Sequence, residues 1–476
     1  MRPRVLFRPQ VEGDVHTATV KVLMVVLLFG VGFAWVSANQ AGTTSTAVLF
    51  EGARLITGAG GAPIESSAFV MENGKFTRVG RKGEIQLPSG ATRVDLTGKT
   101  VIPALIDIHN HLGWTNQKTN IATKKSFTRE LVIDHLQRYA YYGVAATLSL
   151  GLDRWDVNPE LPYQLRNEII PNAARFLTVG RGIAATPMAG PVADYRLGVP
   201  YGAQTEAEGR ALVHELQAKK VEMIKIWVDD RQKTVPKLQV NVYEAIINEA
   251  HKNSMRVVAH IFNLEDGKQL LKSGVDGFAH SVRDQDVDEE YLTVLKQHPK
   301  TWVGPNLPAR TISAEETAAQ IAWLTETLPP SQIKRMRDQL ASQQAGAAGG
   351  GAAGPSDLFG IQCRNLKRIH DAGMIIGLGT DANADVGWSA HVELADMVFC
   401  GLTPAEAIVA GTRTSAEILE LDQLGTVAVG KSADFIVLDA NPLANILNTR
   451  KINKVYMRGT AVDRTGLSKV LSAEAH

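Results

Sequence analysis

The sequence predicts an α/β chain: a parallel (β/α)8 TIM barrel with a small β-sandwich domain built from both chain ends. Two patterns carry this expectation. Through the middle of the chain, short β-branched runs alternate with longer amphipathic stretches, the signature of a parallel sheet wound with helices. At both ends the regime changes to period-two alternation broken by Gly and Asn turns, which reads as antiparallel sheet. A length of 476 residues leaves room for one large barrel and one satellite.

The elements follow in chain order. Arg2, Arg4, Arg8 and Lys21 precede an uncharged apolar run of 15 residues, Val22 to Val36, short of the ~20 that span a bilayer comfortably. Val36-Ser37-Ala38 supplies the small residues of a signal-peptidase site. Residues 1–38 are therefore expected to be an export signal, with an uncleaved anchor as the alternative. Either way the body of the chain is expected outside the cytoplasm, periplasmic or secreted, touching a membrane only through that segment. Residues 39–100 and 421–476 are expected to form the two parts of the sandwich, and 101–420 the barrel. The barrel strands are read at 101–109, 145–150, 175–179, 223–228, 256–261, 276–281, 301–305 and 375–381. The Gly/Ala-rich stretch 343–356 interrupts the barrel and is expected to be a flexible insertion, with a lid as the alternative.

Composition narrows the partners. Fifty Lys+Arg against 49 Asp+Glu leave a formal charge of +1, which argues against a nucleic-acid binder. Cys363 and Cys400 are too few for a disulfide framework and lack zinc-knuckle spacing. Oligomeric state stays open.

Side chains at the C-terminal ends of barrel strands converge on the mouth. Those ends carry His109 and His111, Lys225, His260, His280 and Asp381. His109 and His111 alternate, so both face one side of their strand. Lys225 sits inside the apolar run MIKIWV, where an unpaired ammonium is costly. His135, His214, His251, His298 and His370 read as solvated helix positions, and Asp229, Asp230 and Arg231 as a solvated loop. His391, Arg181, Tyr195 and Arg310 fall in presumed mouth loops as candidate substrate contacts.

The segments VIPALIDIHNH, IKIWVDD, VVAHIFN, GVDGFAHS, GLGTDAN, GLTPAEAI and GKSADFIVLDANPL resemble the metal-dependent amidohydrolase superfamily, in its prolidase- and imidazolonepropionase-like branch. The likeness spans roughly residues 45–465. It implies two divalent metal ions, zinc first among them. His109, His111 and Asp381 would hold one metal and His260 and His280 the other, with a CO2-derived carbamate on Lys225 bridging them. It implies hydrolysis of an amide C–N bond in a small-molecule substrate (a dipeptide, N-acyl amino acid or cyclic amide) by a metal-bridging hydroxide, with Asp381 as catalytic base and then acid. Deaminases of the superfamily carry a Glu three residues after the strand-five histidine, where this chain has Asn263. A phosphotriesterase or lactonase shares the same metal core, and a non-catalytic scaffold is the remaining alternative. The GGH-like turn of many relatives is replaced here by residues 185–191, ATPMAGP, which blurs any one relative's specificity.

Overall fold

The computed structural model describes residues 47–475, apart from 87–88, 124, 155–157, 188–195, 311 and 348–356. The leader 1–38, Tyr195 and most of the insertion 343–356 lie outside the described residues. Among the described residues, no helix is long and apolar enough to cross a membrane.

The central segment is a TIM-barrel-type α/β arrangement. Its parallel strands are β1 (Leu105–Asn110), β2 (Val144–Ser149), β3 (Arg175–Thr178), β4 (Ile224–Val228), β5 (Val257–Ile261), β6 (Gly277–Phe278), β7 (Trp302–Val303) and β8 (Ile375–Ile376). Every residue of β1, β2, β4 and β5 is buried, as expected of strands covered by helices outside and packed side chains inside. Two of the helices between them start on capping boxes written in the sequence. Thr205 and Glu208 form a capping box before Glu206–Ala218, and Ser313 and Glu316 form another before Ala314–Leu324, each satisfying two otherwise orphaned N–H groups.

The ladders fall into two arcs. One joins β3, β2 and β1. The other runs from Ile183–Ala184 through β4, β5, β6 and β7 to β8. Between β8 and β1, the Ile108 N–H donates to Leu378 O at 2.8 Å and the Asp381 N–H donates to His109 O at 2.7 Å. Among the described residues, no single ladder runs round all the strands.

The run 101–109, read as one strand, is divided by the structure. Thr100–Pro103 pairs antiparallel with Phe435–Leu438 in a flanking sheet, and only the residues from Leu105 onward enter the barrel. Both pieces are apolar and β-branched, so the break after Pro103 leaves no mark in the hydrophobic pattern. This flanking sheet combines strands from both chain ends, and a second, four-stranded sheet lies within residues 48–95. The two share an aromatic core of Phe50, Phe69, Phe76, Phe435 and Tyr456. Phe435 stacks on Tyr456 with centroids 4.5 Å apart. Cys363, in helix Leu358–Asp371, and Cys400, capping helix Ser389–Phe399, form one disulfide with Cα atoms 4.9 Å apart.

Asp107 of β1 braces the junction with β8 from within. Its buried carboxylate accepts hydrogen bonds from the Tyr139 hydroxyl (2.9 Å), the Thr380 hydroxyl (2.7 Å) and the N–H groups of His109 (3.1 Å) and Thr380 (3.2 Å). Burial pushes its pKa up to about 7 although those donors pull it down. Replacing it would strand several buried donors together. Asp107→Ala is expected to lower unfolding free energy by about 3 kcal/mol, with Asp107→Asn, which keeps one acceptor oxygen, losing clearly less. Urea titrations of both variants check this.

Candidate metal centre

Five strands deliver the predicted residues to one cavity of about 170 Å³, which His109, His111, Lys225, His260, His280 and Asp381 all line. His109 and His111 come from the end of β1 and the residue beyond it. Asp381 follows β8, and its backbone takes the left-handed φ of 53°, a conformation rare outside glycine. That turn aims the carboxylate at both β1 rings: Oδ1 lies 3.3 Å from His109 Nε2 and 2.9 Å from His111 Nε2. The ligand atoms of these residues all lie within 4.8 Å of one another. On the far side, the rings of His260 and His280 stand 4.6 Å apart, and His280 stands 4.8 Å from His109.

Hydrogen bonds behind the rings fix which nitrogen faces inward. His109 Nδ1–H donates to Ala279 O at 2.9 Å, His280 Nδ1–H to Asn306 Oδ1 at 2.7 Å, and His260 Nε2–H to Asp229 Oδ2 at 2.9 Å. Asn306 in turn donates to Thr380 O at 2.7 Å, tying β7 to β8. Burial drives the imidazoles of His109 and His280 well below their ordinary range and that of His260 down to about 3. All are neutral at physiological pH, the state in which imidazole binds a cation. Burial alone would raise the Asp381 carboxyl, yet His109, His111 and Arg283 hold it well below the usual carboxylate range.

Lys225 is 1% exposed. Burial draws its pKa down to about 7, and its Nζ has no hydrogen-bond partner among the described residues. Its stem needs two glycines: a Cβ on Gly182 would lie 2.9 Å, and one on Gly151 2.8 Å, from Lys225 Cγ. His109 Nε2 is likewise buried without a hydrogen-bond partner. Neutral imidazoles, an ionised carboxylate and a partnerless amine, all facing one polar cavity, fit divalent cations of the zinc type.

The other candidates are placed elsewhere. Arg181 donates to the carbonyls of Val199 (2.5 Å), Gly198 (3.2 Å) and Pro200 (3.2 Å) and stacks 3.7 Å over Tyr201. Arg310 pairs with Asp396 at 2.7 Å. His391 lies in helix Ser389–Phe399, its buried Nε2–H donating to Tyr142 O at 2.8 Å. None of these three lines the cavity. Two readings need correction. His135 is fully buried and hydrogen-bonded to Thr115 O and Gly113 N; it shares the face of Val132, Leu136 and Tyr139, a helical spacing visible in the sequence. Asp229 and Arg231 are no solvated loop: Asp229 is buried against His260, and Arg231 pairs with Asp229 at 3.2 Å and lines the cavity. Arg283 and Arg196, which sequence reasoning missed, line it too.

Comparison with known proteins gives the chain's family. The amidohydrolase family model matches residues 100–462. The imidazolonepropionase of Deinococcus radiodurans is 23% identical over 412 residues, covering 83% of this chain and 92% of its own. That of Brevibacillus brevis is 22% identical over 432 residues, covering 85% and 91%. Among solved structures, a Xaa-Pro dipeptidase with methionine bound in its active site superposes with a TM-score of 0.66 at 21% identity, over 87% of this chain and 99% of that one. Phenylurea hydrolase B superposes at 0.69 and 21% identity, over 90% of this chain and 100% of that one. At such identities the structural likeness speaks for the fold alone. With the family model spanning most of its length, the chain belongs to the amidohydrolase family.

Proposed function

We propose that this protein is a binuclear metal-dependent hydrolase that cleaves an amide C–N bond in a dipeptide, N-acyl amino acid or cyclic amide. The coarser reading, a metal-dependent amide hydrolase, follows from its family. One observation carries the finer one: neutral imidazoles, Asp381 and the partnerless Lys225 amine meet in a single buried cavity. His109, His111 and Asp381 would hold one cation and His260 and His280 a second. A carbamate on Lys225, formed from the neutral amine and CO2 with release of a proton, would serve both. Divalent cations bound there would acidify a water and polarise the scissile carbonyl.

The chain's own residues position and move the proton. Asp381 is ionised, as a base must be, and accepts the proton of the attacking water before handing it to the leaving amine. Its left-handed backbone holds that carboxylate beside both β1 rings. The bonds to Ala279, Asn306 and Asp229 hold the rings of His109, His280 and His260 each in one tautomer, with the other nitrogen free to bind a cation. We also infer that the two arcs close as one barrel, which the hydrogen bonds between β1 and the residues around β8 support. That the flanking sheets form a sandwich is supported by their shared aromatic core.

We infer export from the basic leader and apolar run before residue 39. The Cys363–Cys400 disulfide supports it, since such bonds persist mainly in oxidising compartments.

Elemental analysis of the full chain is expected to find two divalent ions per protein, and stripping them with a chelator to abolish turnover until zinc and bicarbonate are returned. On a panel of dipeptides, N-acyl amino acids, lactones and a phosphotriester, Asp381→Asn is expected to cut kcat on the order of 1,000-fold. Turnover of the phosphotriester or lactones alone would overturn the amide reading. Expressed in a bacterium, the chain is expected outside the cytoplasm with its N-terminus at Asn39, read by fractionation and N-terminal sequencing.

A further inference from the structure

Three guanidiniums meet over the cavity that holds the candidate ligands. Arg283, just past β6, Arg231, beyond β4, and Arg196, from the segment after β3, all line it. The carboxylates beside them are already engaged. Asp229 accepts from His260 and pairs with Arg231, and Asp381 lies against His109 and His111. Arg283 is left over: its Nε and Nη2 are buried and have no hydrogen-bond partner among the described residues. Burial lowers its pKa only to about 10, so it stays a cation. A buried guanidinium with open donors is an expensive feature, and it faces the same small cavity as the reacting groups. Divalent ions bound there would make the surroundings more positive still.

We propose that Arg283, flanked by Arg231 and Arg196, binds a carboxylate of the substrate, so that the amides taken are N-acyl amino acids or dipeptides with a free carboxylate beside the scissile nitrogen. This rests on the hydrolase reading above and narrows it. The planar fork of arginine matches a carboxylate in two parallel hydrogen bonds, and the anion supplies the acceptors that Arg283 Nε and Nη2 lack among the described residues. The placement also orients the bond: with its carboxylate on Arg283, the adjacent amide lies towards Asp381 and the histidines. Neutral amides, lactones and phosphotriesters offer nothing to that guanidinium, which would stay desolvated and unpaired when they bind, and this discriminates against them.

The test compares N-acetyl derivatives of leucine, methionine, phenylalanine and proline with their C-terminal carboxamides, using the metal-loaded full chain. The carboxylates are expected to exceed the carboxamides in kcat/KM on the order of 100-fold, chiefly through KM. Arg283→Met is expected to collapse that preference towards unity, and Arg283→Lys to keep part of it. Metal content by elemental analysis and carbamate content by 13C NMR with labelled bicarbonate are expected to stay as in the parent. A preference that persists in Arg283→Met would overturn the proposal. Loss of metal or carbamate in that variant would overturn it as well, because Arg283 would then belong to the Lys225 centre. Failure of the metal-loaded protein to cleave any of these compounds would count against the amide reading instead. The anion site is then read by thermal stabilisation: N-acetyl amino acids are expected to stabilise the parent more than the carboxamides do, and the excess to vanish in Arg283→Met. An equal effect of both ligand sets would overturn it.

Discussion

The burial of the Lys225 amine is the constraint to which the rest of the centre answers. An amine in the middle of a barrel strand is cut off from bulk solvent, and Lys225 is 1% exposed. Gly151 and Gly182 give its stem room but offer its nitrogen no acceptor. The surroundings could have supplied an acid and made a buried ion pair. They supply histidines, themselves driven neutral by the same lack of solvent, and a single carboxylate drawn towards His109 and His111. Such a set offers lone pairs and one negative charge to a cation, as the proposed metal centre requires.

That requirement propagates outward. Donors useful to a cation must be aimed, and three of the four cavity rings are aimed by a partner on a neighbouring element: Ala279 of the β6 segment for His109, Asn306 after β7 for His280, Asp229 after β4 for His260. Beneath them Asp107 joins Tyr139 to the Thr380 turn that carries Asp381. His109, Lys225 and His260 stand on strands, whose spacing the sheet sets, while His111, His280 and Asp381 lie just beyond strand ends, beside the segments that carry the arginines. A distortion of one strand would be felt at several donors together.

Much of this was legible beforehand, and the limits have physical causes. The barrel strands are written as β-branched runs because both of their faces are buried. That His109, His111, Lys225, His260, His280 and Asp381 share one cavity could be read off the strand ends, because period two and barrel geometry dictate where those ends point. Lys225 announced itself as a charge in an apolar run. The break after Pro103 was invisible, since a strand leaving one sheet for another keeps its hydrophobicity. His135 was misread although its spacing to Val132, Leu136 and Tyr139 marked it as buried. The arginines were the hardest. Arg181 and Arg310 look like Arg231 and Arg283 in sequence, each a few residues past a strand, and only tertiary packing decides which guanidinium meets a loop carbonyl or an acid and which meets the cavity.

The Cys363–Cys400 bond ties the helix before β8 to the end of the helix after it, across 37 positions of sequence. Strand β8 and the turn bearing Thr380 and Asp381 thus lie inside a covalent ring, while the four cavity histidines and Lys225 lie outside it. A ring of that size has fewer open conformations to escape into than a free chain. If the barrel frays, Asp381 belongs to a part whose freedom to wander is restricted, and thiol chemistry in the surroundings becomes a second determinant of how well the cavity's geometry survives stress.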